Sequence, residues 1–307
     1  MSAHARDRVG RPRTRAAALG VTLALLATLL WASNFVLARG LREAIPPVAL
    51  NFWRWTIAVA LLAPFAIKTT IASRTVLRRH LRYLSLTGLL GVTAFNTLVY
   101  QAGHTTEALN LALVAVCSPI VIVVLAWLLA HEHVSGSTVL GLGLAAGGVL
   151  LLITNGRLDR LANLDFAVGD LLMLIATVLF GSYTVLVRRK PDEIPITAFV
   201  FSTFVLGLLM LLPAYLVEFS TTGPFTTDAR TVGALIYIGV FPSLLAFYAW
   251  NRAVTTIGAT APAVIYYLVP IFTGLAAWLL LDEPIGGAEL LSIVLVIAGV
   301  GVGQRAI

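Results

Sequence analysis

Charge is scarce in this chain. Only 11% of its 307 residues are Asp, Glu, Lys or Arg, against about 25% in ordinary soluble domains. With 59% hydrophobic residues and a mean hydropathy of +0.94, a water-soluble core could not hide the apolar surface, so a soluble globular fold is excluded. Cysteine is nearly absent. Cys117 stands alone in an apolar run, which excludes a disulfide framework and a cysteine-based metal site; it is expected to serve as a core residue. The five histidines, His4, His80, His104, His131 and His133, fall in tails, loops or helix ends. An intramembrane enzyme needs His, Asp or Cys clustered at depth, so catalysis is not expected. No Gly-rich loop ending in Lys-Ser/Thr is present, nor a soluble domain to carry one, which excludes ATP hydrolysis. The short loops likewise argue against a receptor with an output domain. His131 and His133 flank Glu132 but, two residues apart, do not share a helix face. No metal and no cofactor are expected.

The charge that is present is basic, with a net +7 and 19 Arg against 2 Lys. In a soluble protein this would suggest nucleic acid. In an apolar chain it reads as loop arginines facing an anionic leaflet, so the partner expected is a lipid bilayer and not nucleic acid.

Crossing about 30 Å of hydrocarbon takes some 20 apolar residues. Such runs fall at 16–38, 46–67, 82–102, 107–130, 136–154, 167–187, 195–217, 231–251, 258–281 and 286–304. An all-α membrane protein of ten helices is predicted. The first run begins like a signal peptide but is too long and lacks a small-residue cleavage site, so it is expected to remain as the first helix. Counting Lys and Arg in the loops with the N-terminus inside gives 15 on the cytoplasmic side and 5 outside, with Arg54 left within a span. Both termini are therefore expected in the cytoplasm.

A stretch of the chain occurs twice. Pro119 to Val149 lines up without gaps on Pro270 to Val300 at an offset of 151, and 12 pairs are identical, where chance would give roughly three. The shared pairs include Pro119/Pro270, Trp127/Trp278, Glu132/Glu283, Gly136/Gly287 and Gly148/Gly299. Helix 1 around Trp31-Ala32-Ser33-Asn34 matches Phe180-Gly181-Ser182-Tyr183 at an offset of 149. The expected organisation is a cytoplasmic tail over 1–15, a first repeat over 16–155 and a second over 156–307. Five helices per repeat is an odd number, so the second repeat is predicted to sit upside down relative to the first.

At these residues the chain resembles the drug/metabolite transporter superfamily, in the ten-helix branch built from two EamA-type repeats. The resemblance rests on Trp31 to Phe35, Pro46, Arg54 and the Pro119/Glu132 and Pro270/Glu283 pairs, and covers nearly the whole chain. It implies a multi-pass protein of the bacterial inner membrane with a central cavity between the repeats, working by alternating access. Within that superfamily the chain is most similar to amino-acid exporters of the aromatic type. The superfamily also carries drugs, cations and sugar derivatives, which stand as the alternative cargo. Small multidrug members use a carboxylate in helix 1 as proton carrier, yet no Asp or Glu lies between Ala16 and Ala38. Whether transport is proton-coupled or facilitative, and whether the carrier is a monomer or homodimer, is left open by the residues.

Arg54 is the foremost candidate for the site. It lies about eight residues, or roughly 12 Å, into helix 2, where a charge usually faces a cavity or a partner. Its repeat counterpart is Thr203. A guanidinium there could grip a carboxylate in a bidentate way, or could lock helices by pairing with a carboxylate or freed carbonyls. Polar and aromatic residues at similar depth are further cavity candidates: Trp31, Ser33, Asn34, Asn51, Trp53, Asn96 and Tyr100, then Ser182, Tyr183, Tyr248, Trp250, Asn251, Tyr266 and Tyr267. Amides and hydroxyls hold ammonium and carboxylate groups, and aromatic faces take apolar side chains. Tyr100, Trp250 and Asn251 lie near predicted helix ends, where an interface belt is an equal expectation.

Pro119 and Pro270 each delete one N–H and free the carbonyl four residues earlier, at Ala115 and Tyr266, which predicts kinks and possible hinges. Glu132 and Glu283 close helices 4 and 9. A carboxylate is disfavoured at a helix C-terminus and favoured at the next N-terminus, so each is expected to cap the tight turn between the helices, with a gate latch as the second role. Helix 5 carries Gly141, Gly143, Ala145, Gly147 and Gly148, and helix 10 carries Gly299, Gly301 and Gly303, small residues that let helix backbones approach. They are expected to join the halves or to form a dimer contact.

Overall fold

Apolar sequence of this kind has one economical solution in lipid: the α-helix, which satisfies every backbone N–H and C=O within the segment. The structure, a computed structural model, describes residues 7–41, 44–105, 114–154, 156–157, 167–225, 227–281 and 287–304. Among them there is no strand.

The helices are α1 (Asp7–Leu41), α2 (Pro47–Ala72), α3 (Arg74–Arg79), α4 (Leu81–Gly88) and α5 (Phe95–Thr105). They continue with α6 (Cys117–Ala130), α7 (Gly136–Thr154), α8 (Val168–Arg188) and α9 (Ile196–Thr222). The chain completes α10 (Ala229–Ile238), α11 (Ala246–Ile257), α12 (Thr260–Tyr266), α13 (Leu268–Leu281) and α14 (Gly287–Gly303). Among the described residues seven rods are long and apolar enough to cross a bilayer, Leu81–His104 and Ala229–Ile257 being two of them, and three shorter apolar helices accompany them. The fold is all-α. Helix α1 begins at Asp7 and not at 16, because the Arg-rich segment continues the helical ladder; the basic loop after α2 is likewise organised as the short helix α3.

Two rods are interrupted at matching places. Between α4 and α5 runs a π segment, Leu89–Ala94, and between α10 and α11 another, Gly239–Leu245. A π turn leaves a backbone carbonyl without its usual partner, and side chains take these up. Asn96 Nδ2 donates to the Gly91 carbonyl at 3.0 Å, and Ser243 Oγ donates to the Ile238 carbonyl at 2.8 Å.

The rods meet in pairs that recur. Helix α1 lies against α11 and against α12 and α13, as α8 lies against α5 and against α6. Helix α2 contacts the second π segment as α9 contacts the first. Helices α2 and α9 meet each other, as do α7 and α14. The last pair needs glycine: a Cβ on Gly299 would stand 2.6 Å from Ala145 N and 2.7 Å from the Gly141 carbonyl. Of the two roles expected for these small-residue helices, joining the halves is the one seen.

The proline breaks fall as predicted. The turn at Val116 precedes α6, and the turn at Tyr267 separates α12 from α13, in each case three residues before Pro119 or Pro270. Cys117 is exposed and not a core residue, a correction that follows from this break, which turns its side chain outward.

Candidate functional site

Arg54 is buried, with 1% of its surface exposed. Its position follows from α2, where Pro47 starts the helix and Glu218 of α9 caps it: Glu218 accepts from Val48 N at 3.1 Å and from Ala49 N at 2.6 Å. Two turns further on, the Arg54 guanidinium enters the space between the two π segments. Nε donates to Ser243 Oγ at 2.5 Å, and Nη1 donates to Asn96 Oδ1 at 3.2 Å and to the Tyr100 hydroxyl. The guanidinium carbon lies 5.5 Å from the Trp55 ring centroid and 5.7 Å from that of Tyr100. Every partner is neutral. Among the described residues no carboxylate forms an ion pair with Arg54, so the expected locking pair with a carboxylate is not what holds it.

The two hydroxyl and amide partners are themselves the groups that repair the π turns. Ser243 and Asn96 therefore couple the arginine to both π segments. Thr203, the repeat counterpart of Arg54, only donates back to the Val200 carbonyl at 2.9 Å. The site is polar and charged on one side of the fold alone.

Beyond Trp55 the core is aromatic. Trp55 meets Phe247 at 4.9 Å between centroids, and Phe247 meets Trp31 at 5.3 Å. Trp31 is the hub, with Phe180 at 5.6 Å, Trp250 at 5.1 Å and Tyr266 at 5.7 Å. Its Nε1 donates to the Pro242 carbonyl at 3.1 Å, so the second π segment anchors the hub as well as the arginine.

The remaining candidates fall into three places. Tyr183 donates to Asn251 Oδ1 at 2.7 Å beside the aromatic hub, and Asn251 Nδ2 has no partner although the residue is fully buried. Asn51 donates to the Val92 carbonyl at 3.2 Å and to Thr97 Oγ1 at 2.9 Å, with its Oδ1 unpartnered. Ser33 accepts from Tyr237 at 3.0 Å, Asn34 Oδ1 is buried without a partner, and Tyr248 faces Thr197 at 3.4 Å. Tyr100, Trp250 and Asn251 are 9%, 0% and 0% exposed. The interface-belt expectation for these three is therefore corrected: the rods extend past the predicted ends and carry them into the core. Trp53 instead pairs with Tyr215 at 3.3 Å, away from the hub. Ser243, Trp55, Phe180 and Phe247 were not singled out from sequence. Two of them carried a signal: Ser243 in the Pro242-Ser243 step inside an apolar run, and Phe180 as the repeat counterpart of Trp31.

Glu132 does not cap the turn that follows it. The left-handed turn at His131, φ 54°, closes α6 and swings Glu132 toward the second half of the chain. There its carboxylate accepts from Ala259 N at 2.8 Å, Thr260 N at 2.9 Å and Thr260 Oγ1 at 2.7 Å, capping α12. Arg188 Nε, at the end of α8, completes the set at 2.8 Å. Close approach is possible because Gly258, φ 85°, has no Cβ; one would stand 2.8 Å from Glu132 Oε1. Desolvation pushes the Glu132 carboxyl up, but the bonds from Thr260, Ala259 and Arg188 outweigh it and hold the group below its ordinary value. Its counterpart Glu283 lies outside the described residues. Pro119, at the opposite end of α6, is buried and Pro270 half-buried.

No group of three or more His, Cys, Asp or Glu side chains converges among the described residues. The arrangement offers instead a buried cation with neutral donors and acceptors, a continuous aromatic surface, and carboxylate ties between halves.

Several proteins similar to this chain are named transporters. An uncharacterized transporter of Archaeoglobus fulgidus is 30% identical over 283 residues, covering 91% of this chain and 94% of its own. The uncharacterized transporter YyaM of Bacillus subtilis is 28% identical over 87% of this chain and 88% of its own. A probable terminal-alkyne amino-acid exporter of Streptantibioticus cattleyicolor is 26% identical over 90% of both. A solved crystal structure shares the fold at a TM-score of 0.74 and 20% identity, covering 94% of this chain and 96% of that one. The sequence profile of the EamA-like transporter family matches twice, over residues 18–154 and 167–302, and the chain belongs to that family.

Proposed function

We propose that the chain is a secondary carrier that exports amino acids, aromatic and neutral ones foremost, and related small metabolites. Ten helices cross the bacterial inner membrane as two inverted repeats, 16–155 and 156–307, with both termini cytoplasmic, and the cargo site opens alternately to the two sides. The observation that carries this reading is the buried Arg54 guanidinium, held by Ser243, Asn96 and Tyr100 without a counter-charge among the described residues. A charge in that position is costly unless compensated, and a cargo carboxylate supplies the compensation with bidentate geometry.

The aromatic run from Trp55 through Phe247 to Trp31 gives the cargo side chain its surface. A cationic drug would meet the like charge of Arg54, which disfavours that alternative. The relative from Streptantibioticus cattleyicolor, named for amino-acid export, supports the cargo class. Pro119 and Pro270 are the hinges, and Glu132 ties one end shut through Arg188 and α12. Glu218 and Asp170 each hold a backbone N–H at a helix start, so neither is offered as a proton carrier, and transport is read as facilitative.

The test is counterflow in proteoliposomes loaded with mixed amino acids, with and without a pH gradient. Counterflow of aromatic or neutral amino acids that ignores the gradient and fails in Arg54→Ala is the expected result. Flux and preference unchanged in Arg54→Ala would overturn the arginine's role, and absence of any amino-acid flux would overturn the cargo.

A further inference from the structure

The elbow between α3 and α4 holds a groove of about 490 Å³ lined by Arg78, Arg79, His80, Leu81, Arg82 and Tyr83. Sequence accounts for the basic character of this loop only as a general attraction to a membrane surface. The geometry is more specific. One carboxylate, Glu193, reaches the groove from the loop after α8: it stands 2.6 Å from His80 Nε2 and 3.9 Å from Arg79 Nη1. Among the described residues no ion pair involves Arg78 or Arg82, both exposed. Three guanidiniums against one carboxylate leave the groove in excess of positive charge whatever the state of His80.

The same elbow is apolar on its bilayer side. Leu86 and Leu89 follow Arg82 by four and seven residues, so they lie beneath it on one helix face. They are 46% and 39% exposed, and Leu81 at the groove's rim is 49% exposed. This column runs from the groove into the apolar rod Leu81–His104. A soluble anion would use the guanidiniums and leave the leucines bare. A ligand with a phosphate head and an acyl tail uses both.

We infer that the α3–α4 elbow is a binding site for an anionic phospholipid, its phosphodiester held by Arg78 and Arg82 and one acyl chain laid along Leu86 and Leu89. Arginine suits the head because its planar fork matches phosphate oxygens, and attraction to anionic lipid adds to it at the membrane surface. Glu193 pairs with Arg79 and His80, which leaves the charge of Arg78 and Arg82 uncompensated by an ion pair among the described residues.

The test is thermal unfolding of the full-length detergent-purified protein titrated with phosphatidylglycerol, phosphatidylcholine or inorganic phosphate. Phosphatidylglycerol is expected to stabilise the native protein more than phosphatidylcholine does. Arg78→Gln/Arg82→Gln should weaken its apparent affinity about tenfold, and Leu86→Asn should also weaken it. Arg252→Gln, an exposed arginine elsewhere, should leave it unchanged. The site is overturned if the double variant binds like the native chain, or if Arg252→Gln weakens binding equally, which would mean a diffuse charge effect. Inorganic phosphate matching the phosphatidylglycerol shift would overturn the lipid assignment in favour of a soluble anion.

Discussion

The hydroxyl of Tyr267 donates to the carbonyl of Val116 at 3.0 Å, and the two residues are 151 positions apart, each the repeat counterpart of the other. Both sit at helix breaks three residues ahead of a proline. The two interruptions that Pro119 and Pro270 force on the chain therefore touch, and they touch through a hydrogen bond that only one half can make, because valine has no donor to return. Tyr267→Phe keeps the ring and removes the donor. A buried carbonyl losing its partner costs about 1–3 kcal/mol, so thermal unfolding in detergent is expected several degrees below the native protein. Unfolding at the native temperature would show that water or another donor already serves that carbonyl.

The α7–α14 seam makes a sharper prediction because it has an internal control. Gly299→Ala puts a methyl group 2.6 Å from backbone N of Ala145, which cannot rotate away. The helices must separate, at about 1–3 kcal/mol. Gly301→Ala, in the same helix, has nothing within 4 Å of its new Cβ and should be neutral or slightly stabilising. Equal melting temperatures for the two variants would mean that the seam is looser than its backbone distances require.

Much of this was legible in sequence, for physical reasons that differ by residue. Helix α7 occupies 136–154 as expected, since an apolar run bounded by Gly136 and a polar loop has one way to satisfy its backbone in lipid. Both breaks before Pro119 and Pro270 were legible, because proline's missing N–H acts locally. The π segments were not: which carbonyl shifts depends on Asn96 and Ser243 being in reach, and those bonds exist only once the helix is formed. Aromatic residues divide in the same way. Phe65 is 79% exposed and Phe180 1%, yet both sit in apolar runs that look alike. Glu132 was read as a cap, and it is one. Its helix starts 128 residues away, and no periodicity in the sequence carries that distance.

Glu218 shows the same chemistry at the opposite end of the molecule. Helix α2 begins at a Pro46-Pro47 step with no side-chain cap of its own, and the carboxylate from α9 serves Val48 and Ala49 in its place. Glu218→Gln keeps one acceptor and loses the charge that favours a helix N-terminus, so stability should fall by about 1 kcal/mol. Arg54 lies six residues beyond Val48, roughly 9 Å along the same helix, so an entry shift of α2 moves the guanidinium too. Substrate KM is expected to rise several-fold with little change in maximal flux. A fall in maximal flux at constant KM would separate the cap from the arginine.

Glu132 gives the pH dependence. Its folded pKa is depressed, despite desolvation, by bonds from Thr260, Ala259 and Arg188. A carboxyl depressed on folding contributes stability that is fully present above its unfolded value, about 4.3, and is lost as pH falls through the lower folded value. Stability at this end of the molecule should therefore be flat from neutral pH to about 5 and decline only below that. Glu132→Gln removes the Arg188 ion pair at every pH, so it should unfold earlier at neutral pH, by about 1–3 kcal/mol, and show less decline in acid. The two effects belong together: a variant that melts lower but keeps the native acid decline would mean that another carboxylate sets the pH dependence. The measurement that also reads gating is labelling of a cysteine placed at Thr255 in a Cys117→Ser background. If Glu132 ties this end shut, Glu132→Gln raises the labelling rate at neutral pH, and native protein reaches the same rate only in acid.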